Sequence, residues 1–352
     1  MNKKILHFSR FQKKSDDPNL SNLEKFDSNE IGLVLSANTQ TLMKHWIKFQ
    51  QGWVNDIFKQ FKDYEKYLII MYLISKSWED GNLFRFYSID KYYAEENISL
   101  PSISLLELSE NLKIPKETIR RKLVELEIKS LIKREGQKIL LAKSVLNLQK
   151  PENSIKNMSI FLEKLSILLS AQDWFGSTIK REDVELYFKK YYTLFWSLYF
   201  KLQIPFLVRW KTVFGDLESF VIWGNIGINQ QINLERIVKE TDIKSNNSKI
   251  KKEQYIANII NMADAEVNKS MHGINASSIA EISSIPRATV IRKLNKLSKE
   301  KIIKRNKKLE YFLTGQGKLN KKISANYLLN QKNIALFVTD IFNLIKKSSL
   351  KI

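Results

Sequence analysis

Cations recur at helical spacing in one stretch near the C-terminal end of the chain. Between Arg287 and Lys301 there are six lysine or arginine residues and one acid, which gives a local charge of +5. Such side chains can bind the phosphates of a nucleic acid, and affinity grows with the number of phosphates neutralised. The apolar residues Val290, Leu294 and Leu297 fall at i, i+4 and i+7. This spacing predicts a helix that buries an apolar face and offers its basic face to a polyanion.

The residues around this helix predict a pair of helices followed by a β-hairpin. Upstream, NASSIAEIS places Ile279 and Ile282 on the inner face of a short helix, and Pro286 separates that helix from the next. Downstream, the β-type runs IIKR and LEYFLT flank a polar bend at residues 306–308. Helix, tight turn, helix and hairpin is the plan of a winged helix-turn-helix unit.

The same unit occurs earlier in the chain. Ile103–Arg134 aligns with Ile274–Arg305 at an offset of 171 without a gap, and twelve of the 32 aligned positions are identical. The flanking segments also match, FKDYEKYLI with FGDLESFVI upstream and KNMSIFLEKLSIL with KNIALFVTDIFNL downstream. Such self-similarity indicates an internal duplication. We therefore expect a mainly α protein with a flexible basic arm at 1–30 and two duplicated winged helix-turn-helix modules, 31–175 and 176–352, each flanked by helices and carrying a short wing hairpin.

The second unit resembles a known group of DNA-binding domains. Its pattern AEIS-x-IPRATVxRKLxxLxxxxIIKR is similar to bacterial winged-helix transcriptional regulators of the MarR and IclR type. The segment LTGQG (Leu313–Gly317) resembles the LT-x-x-G that follows the wing in MarR-like proteins. Ser130 and Lys301 replace the glycine that usually precedes the first wing strand, and the Asp-x-Arg of a typical MarR wing is absent.

The resemblance implies a set of DNA-contacting residues. In such domains the second helix of the pair enters the major groove, and the wing contacts phosphates or the minor groove. Carried over by position, the candidates in the second unit are Arg287, Ala288, Thr289, Ile291, Arg292, Lys293, Lys296, Lys304, Arg305, Lys307 and Lys308. The candidates in the first unit are Lys116, Glu117, Thr118, Arg120, Arg121, Lys122, Lys133, Arg134 and Lys138. Between Lys116 and Lys129 five cations stand beside three acids, a charge of +2 against +5 in the second unit. We therefore expect the second unit to bind double-stranded DNA more strongly, and the first to be a weaker reader or a protein contact.

The composition of the 352-residue chain narrows the other possibilities. The net charge of +21 favours a polyanionic partner, and the absence of cysteine excludes disulfides and thiolate metal sites. The three histidines are far apart and no catalytic arrangement is present, so we expect no enzymatic activity, metal site or cofactor. For Tyr191–Trp210 we expect a buried helix that breaks near Pro205 rather than a membrane span. These expectations describe a cytoplasmic protein without membrane contact.

Three further patterns have both a structural and a functional interpretation. The repeated F-x-D-x-E could suggest paired carboxylates, but residues at i and i+2 of a helix point apart, so we expect Asp63 and Asp216 to be N-caps. The aromatic residues between Tyr187 and Trp223 could line an effector pocket, but their density favours a packed core. The apolar stripe of a terminal helix at 333–345 can pack against its counterpart in the first half or mediate self-association.

The patterns lead us to expect a sequence-specific DNA-binding transcriptional regulator with two unequal winged-helix units, of which the second is dominant. A replication initiator or partition protein with two winged helices is one alternative. An architectural or scaffold protein that uses its wings for protein contacts is another. A duplicated chain can present two reading units alone, as a covalent pseudo-dimer, or can dimerise and carry four. No small-molecule effector follows from the sequence.

Overall fold

The structure, a computed structural model, describes residues 26–80, 87–100, 103–135, 138–148, 151–171, 178–242, 272–315 and 317–349. These residues form mainly α-helices with two small antiparallel sheets, so the expected mainly helical class is confirmed. Residues 1–25 of the expected arm lie outside the described residues. Residues 28–30, also expected in the arm, instead form the first turn of a helix, because the Asp27 carboxylate accepts a hydrogen bond from Asn29 N (2.8 Å) and caps it.

The first half of the chain contains eight helices and three strands within the described residues. In chain order they are α1 (Ser28–Ala37), α2 (Thr39–Phe61), α3 (Tyr64–Asp80), α4 (Ile89–Ala94), β1 (Asn97–Leu100), α5 (Leu105–Leu112), α6 (Lys116–Ile128), β2 (Ile132–Glu135), β3 (Lys138–Ala142), α7 (Lys143–Leu148) and α8 (Glu152–Ser170). The strands form an antiparallel sheet in the order β1-β3-β2. The sequence predicted the β2–β3 hairpin, whereas β1, which precedes the helical pair, was not predicted.

The second half repeats much of this order. Its described elements are α9 (Arg181–Lys190), α10 (Tyr192–Phe214), α11 (Leu217–Asp242), α12 (Ala276–Ser283), α13 (Arg287–Lys299), β4 (Ile303–Arg305), β5 (Tyr311–Leu313) and α14 (Asn320–Ser349). β4 and β5 pair antiparallel, and Ile274 forms a single bridge with Tyr311 on the free side of β5. This bridge takes the place that β1 has in the first sheet.

The helices of the two halves match in length and spacing. α1 and α9 begin 153 residues apart and both have ten residues, and α2 and α10 begin 153 residues apart and both have 23. α5 and α12 begin 171 residues apart, as do α6 and α13, and each pair has the same length. These helices of the two halves therefore begin and end at positions that are equivalent in the sequence repeat.

The two halves exchange their outer helices. α1 of the first half packs along α14 of the second, and α9 of the second packs along α8 of the first. At one contact Phe26 N donates to Asn343 Oδ1 (3.1 Å), and at the other Arg181 N donates to Glu163 Oε1 (3.0 Å). Each half thereby covers apolar surface of the other, and the buried side chains form one hydrophobic core.

A pseudo-twofold axis passes between α2 and α10. Gln50 of α2 and Gln203 of α10 are 153 residues apart, so they occupy equivalent positions in the two halves. The Gln50 Nε2 group donates to Gln203 Oε1 at 2.8 Å, and both side chains are buried. Equivalent residues contact each other where a twofold axis passes, as they do at the centre of a symmetric dimer. The Trp53 ring packs beside the axis against Trp196 and Tyr199, with centroids 5.2 and 5.5 Å apart.

The apolar stretch of α10 forms core, as expected, but it does not break at Pro205. Trp196, Trp210 and Phe200 are at most 3% exposed and stack against neighbouring rings. The helix continues from Tyr192 to Phe214 through Pro205. Proline blocks the hydrogen bond to the carbonyl of Lys201, and both residues lie on the exposed side, where water can hydrate that carbonyl. Among the described residues, no helix has the length and apolar character needed to cross a membrane.

Candidate nucleic-acid interface

In each half, a pair of consecutive helices begins and ends at residues that are equivalent in the sequence repeat. In the second half, Asn275 Oδ1 caps α12 by accepting from Ser278 N (2.9 Å), and Ser284 ends the helix in the left-handed region at φ 57°. In the first half, Ser104 and Lys113 have the same two roles, with Lys113 at φ 52°. Pro115 and Pro286 then precede α6 and α13. We call residues 97–142 the first unit and residues 274–313 the second unit.

The inner face of each second helix packs as the sequence predicted. Val290, Leu294 and Leu297 of α13 are at most 1% exposed, and Ile279 of α12 is also buried. Ile282 was expected to face inward but is 50% exposed, and Ser283 is buried in its place with its hydroxyl donating to the Ile279 carbonyl (2.7 Å). The helix α12 therefore buries a narrower apolar stripe than its sequence suggested.

The hairpin of the second unit holds two lysines at its tip. Asn306 N donates to the Glu310 carbonyl (2.9 Å), and Glu310 N donates to Asn306 Oδ1 (2.9 Å), which closes the turn. Lys307 and Lys308 lie between them and are exposed. Leu309 adopts φ 63°, which completes the tight reversal.

The outward side of the second unit is basic and has few internal ion pairs. Arg287, Arg292 and Arg305 are exposed, and Thr289 and Ile291 are half-buried beside them. Arg287 Nε donates to Ser277 Oγ (3.1 Å), a neutral partner. Among the described residues, no carboxylate lies within 4.0 Å of the charged groups of Arg287, Arg292, Lys299, Lys301, Arg305, Lys307 or Lys308. These cations are therefore available to an anionic ligand.

The outward cations of the first unit are held by its own acids. Arg120 contacts Glu117 (2.8 Å), Lys133 contacts Glu135 (2.7 Å), Arg134 contacts Glu127 (2.5 Å), and Arg121 lies 3.9 Å from Glu125. The hydrogen bond from Arg134 lowers the pKa of the Glu127 carboxyl, so this acid stays ionised. These carboxylates compete with phosphates for the same cations. The outward arginines of the two units therefore differ in their partners, since those of the first unit are paired with carboxylates. Lys116 and Lys138 are exposed and Thr118 is half-buried.

Three lysines of the predicted DNA-contacting set contact the helical scaffold. Lys122 is 7% exposed, and its Nζ lies 2.6 Å from Asp63 Oδ2 and 3.3 Å from Glu65 Oε2. Lys293 Nζ lies 2.8 Å from Asp216 Oδ2, and Lys296 Nζ reaches the same oxygen (3.1 Å) as well as the Phe214 carbonyl (2.7 Å). The predicted DNA contact needs correction for Lys122 and Lys293, because their ammonium groups pair with aspartates and their side chains are only 9% and 12% exposed. The side chain of Lys296 is 45% exposed, so its contact with DNA stays a prediction.

The acids that hold these lysines are helix N-caps, which confirms that prediction. Asp63 Oδ1 accepts from Glu65 N (2.9 Å) and Lys66 N (3.1 Å) at the start of α3. Asp216 Oδ1 accepts from Ser219 N (2.7 Å) at the start of α11. Burial acts to raise the pKa of Asp216, but hydrogen bonds from Lys293 and Ser219 outweigh it and lower this pKa to about 2.

The sequence contained a signal for this second role of the aspartates. Asp63 and Asp216 recur at one offset and Lys122 and Lys293 at another, so an acid and a lysine are kept together in both halves. No group of three or more His, Asp or Glu side chains in the described part of the chain is placed to hold a metal ion. Comparison of the chain with known protein families, curated proteins and solved structures finds no match.

Proposed function

We propose that the protein is a sequence-specific double-stranded DNA-binding regulator of transcription that acts in the cytoplasm. In this proposal the two units are winged helix-turn-helix domains, duplicated within one chain, and the second is the dominant reader. The order strand, helix, helix, hairpin in the first unit supports the assignment, as does the same order with a one-residue bridge in the second.

The observation that carries the proposal is the outward side of α13 and of the β4–β5 hairpin. There the exposed side chains of Arg292, Arg305, Lys307 and Lys308 have no carboxylate within 4.0 Å among the described residues. A helix of this kind fits the major groove, with Arg287, Thr289, Ile291 and Arg292 directed to base edges or to phosphates. The hairpin cations then contact the adjacent backbone.

The pseudo-twofold axis supports a single chain acting as a covalent pseudo-dimer. Many winged-helix regulators dimerise to place two reading helices on two half-sites of DNA. Here α6 and α13 belong to halves that are related by the axis through Gln50 and Gln203. Because the two outward surfaces differ in charge, we expect an asymmetric binding site with one strong and one weak half.

The proposal is tested by selecting sheared genomic DNA of the host with purified protein at about 0.15 M salt, where non-specific binding is weak. Sequencing of the retained fragments should show a few peaks that share a motif. Arg292→Ala should weaken binding to that motif by about 5- to 100-fold, the cost of one lost base contact. Arg121→Ala, at the equivalent position of the first unit, is the matched control and should change binding much less.

Each outcome of the selection has a distinct meaning. Peaks at promoters support a regulator, and peaks clustered in short direct repeats would instead identify a replication initiator or partition protein. Uniform recovery of DNA would indicate an architectural protein, and no recovery would reject DNA binding. A silent Arg292→Ala combined with a damaging Arg121→Ala would reverse the assignment of the dominant unit.

One observation favours a second role for the first unit, namely contact with a protein. Val124 and Ile128 lie one turn apart on the outward side of α6 and are 38% and 77% exposed. Their equivalents in the second unit are Asn295 and Lys299, which are polar. The double substitution Val124→Asn/Ile128→Lys transplants those residues. If the first unit is a protein contact, this variant keeps the DNA motif and affinity of the wild type.

A further inference from the structure

Each second helix is joined to the scaffold by one lysine at an equivalent position. Lys122 of α6 and Lys293 of α13 are 171 residues apart and have side chains that are 9% and 12% exposed. Their ammonium groups reach the N-cap aspartates of α3 and α11 at 2.6 and 2.8 Å. The two ion pairs therefore connect the same two elements in both halves, the second helix of the unit and the first turn of a core helix.

The neighbouring contacts strengthen both connections. In the second half, Lys296 is one turn after Lys293 and reaches both Asp216 and the Phe214 carbonyl. In the first half, Lys211 at the end of α10 contacts Glu65 (2.7 Å) and donates to the Lys113 carbonyl (3.1 Å) in the turn before α6. Each unit is therefore tied to the helices beside the pseudo-twofold axis at more than one point.

Two adjacent residues of α13 face different sides of the helix. Arg292 is exposed on the outward side, whereas Lys293 points to Asp216 on the inner side. Consecutive residues of a helix are about 100° apart, so the direction of Lys293 fixes the rotation of α13 about its own axis and thereby the direction of Arg292. A lost ion pair would let α13 rotate or tilt without removing any of its outward cations.

We propose that Lys293 and Asp216 are a positioning pair that sets the angle of α13 for reading base edges and that neither residue touches DNA. The proposal rests on the proposed function. Buried ion pairs contribute little net stability compared with apolar residues of similar volume, and some fix a particular arrangement. The presence of the same pair in both halves agrees with a geometric role. Asp216 pairs with both Lys293 and Lys296, so removal of its charge breaks two ion pairs, whereas removal of Lys293 breaks one.

The test compares Asp216→Asn with Lys293→Met on a duplex that carries the selected motif. Asn is also a good N-cap, so Asp216→Asn removes the charge and leaves the cap of α11 in place. Binding is measured by fluorescence anisotropy between about 50 and 200 mM salt, on the motif and on an unrelated duplex. We expect both variants to lower the ratio of specific to non-specific affinity by about tenfold, within the range for one misplaced base contact. The slope of log affinity against log salt should stay unchanged.

A direct phosphate contact gives the opposite pattern. If Lys293 bound a phosphate, Lys293→Met would reduce the slope by about 0.9. Asp216→Asn would then release Lys293 and Lys296 and raise the affinity for any duplex. Either result overturns the positioning role. Lys293→Arg, which keeps the charge and can still reach Asp216, should restore most of the specificity.

The first half provides a matched control. Asp63→Asn and Lys122→Met break the equivalent pair, and we expect less than a twofold loss of specificity, because the cations of the first unit are masked. A thermal unfolding curve of each variant shows whether it is folded, and Lys293→Arg remains informative if Lys293→Met does not fold. Wild-type protein that selects no DNA rejects the proposed function together with this role. Wild-type selection with unchanged specificity in Asp216→Asn and Lys293→Met rejects the positioning role alone.

Discussion

Removal of two acids from the first unit should increase the salt dependence of DNA binding. Glu117 and Glu127 hold Arg120 and Arg134 at 2.8 and 2.5 Å. Gln at both positions keeps the side-chain volume and releases two cations for phosphates. Each added phosphate contact steepens the slope of log affinity against log salt by about 0.9, so we expect a change of about 1.8. Over a fourfold range of salt, this adds about a twelvefold change in affinity.

The assay is the anisotropy titration of a labelled duplex that carries the selected motif. Ser298→Glu provides the reciprocal change, because Ser298 is equivalent to Glu127 and Arg305 is equivalent to Arg134. This variant should make the slope shallower by about 0.9, since Arg305 gains an internal partner. An unchanged slope in Glu117→Gln/Glu127→Gln, beside a shallower slope in Ser298→Glu, would mean that the first unit does not reach the DNA. Unchanged slopes in both variants would refute the electrostatic reasoning for both units.

Three further predictions concern stability. The fall in the pKa of Asp216 from 3.8 to about 2 corresponds to about 1–2 kcal/mol after discounting for partial exposure. Asp216→Asn should lose this stability at pH 7. The folded pKa lies below the unfolded one, so the loss should be about half as large at pH 3, measured by urea unfolding. Burial raises the pKa of Asp340 to about 6, so its ionisation destabilises the fold as pH rises from about 4 through 6. Asp340→Asn should raise the thermal midpoint at pH 8 and raise it much less at pH 4, close to the unfolded pKa. Gln50→Leu should cost about 1–3 kcal/mol in urea unfolding, because it removes buried partners from Trp46 Nε1 and Gln203 Oε1. An unchanged urea midpoint in Gln50→Leu would refute this last prediction.

Local parts of the fold could be predicted from the sequence, whereas long-range packing could not. The spacing of Val290, Leu294 and Leu297 identified the buried face of α13, because that signal lies within one helix. Pro205 was expected to break α10, but the helix continues through it, because the carbonyl that loses its hydrogen bond lies on the exposed side. The exchange of α1 and α9 between halves depends on contacts between segments far apart in the chain. No local pattern encodes such contacts.

The candidate interface shows the same limit at the level of single side chains. Residue type and position within the predicted elements correctly placed Arg292 of α13 and Arg305 of β4 on the exposed surface. The same criteria placed Lys122 on that surface, although its side chain is nearly buried and pairs with Asp63. A helical projection predicts the direction of a side chain but not which groups of a neighbouring helix that side chain contacts. The winged-helix interpretation of the two units stays a prediction.

Several outward positions of α6 and α13 differ between the two units, whereas the lysine on the inner side is the same in both. On the inner side, Lys122 and Lys293 are identical and each faces an aspartate. On the outer side, Val124 and Ile128 stand where the second unit has Asn295 and Lys299, and Glu117 stands where it has Ala288. A homodimer would have to change both outward surfaces together, because one gene encodes both. Two units in one chain can keep a common scaffold while each outward surface changes alone. The unequal charge of the two units is a difference that one chain with two units allows and a symmetric homodimer does not.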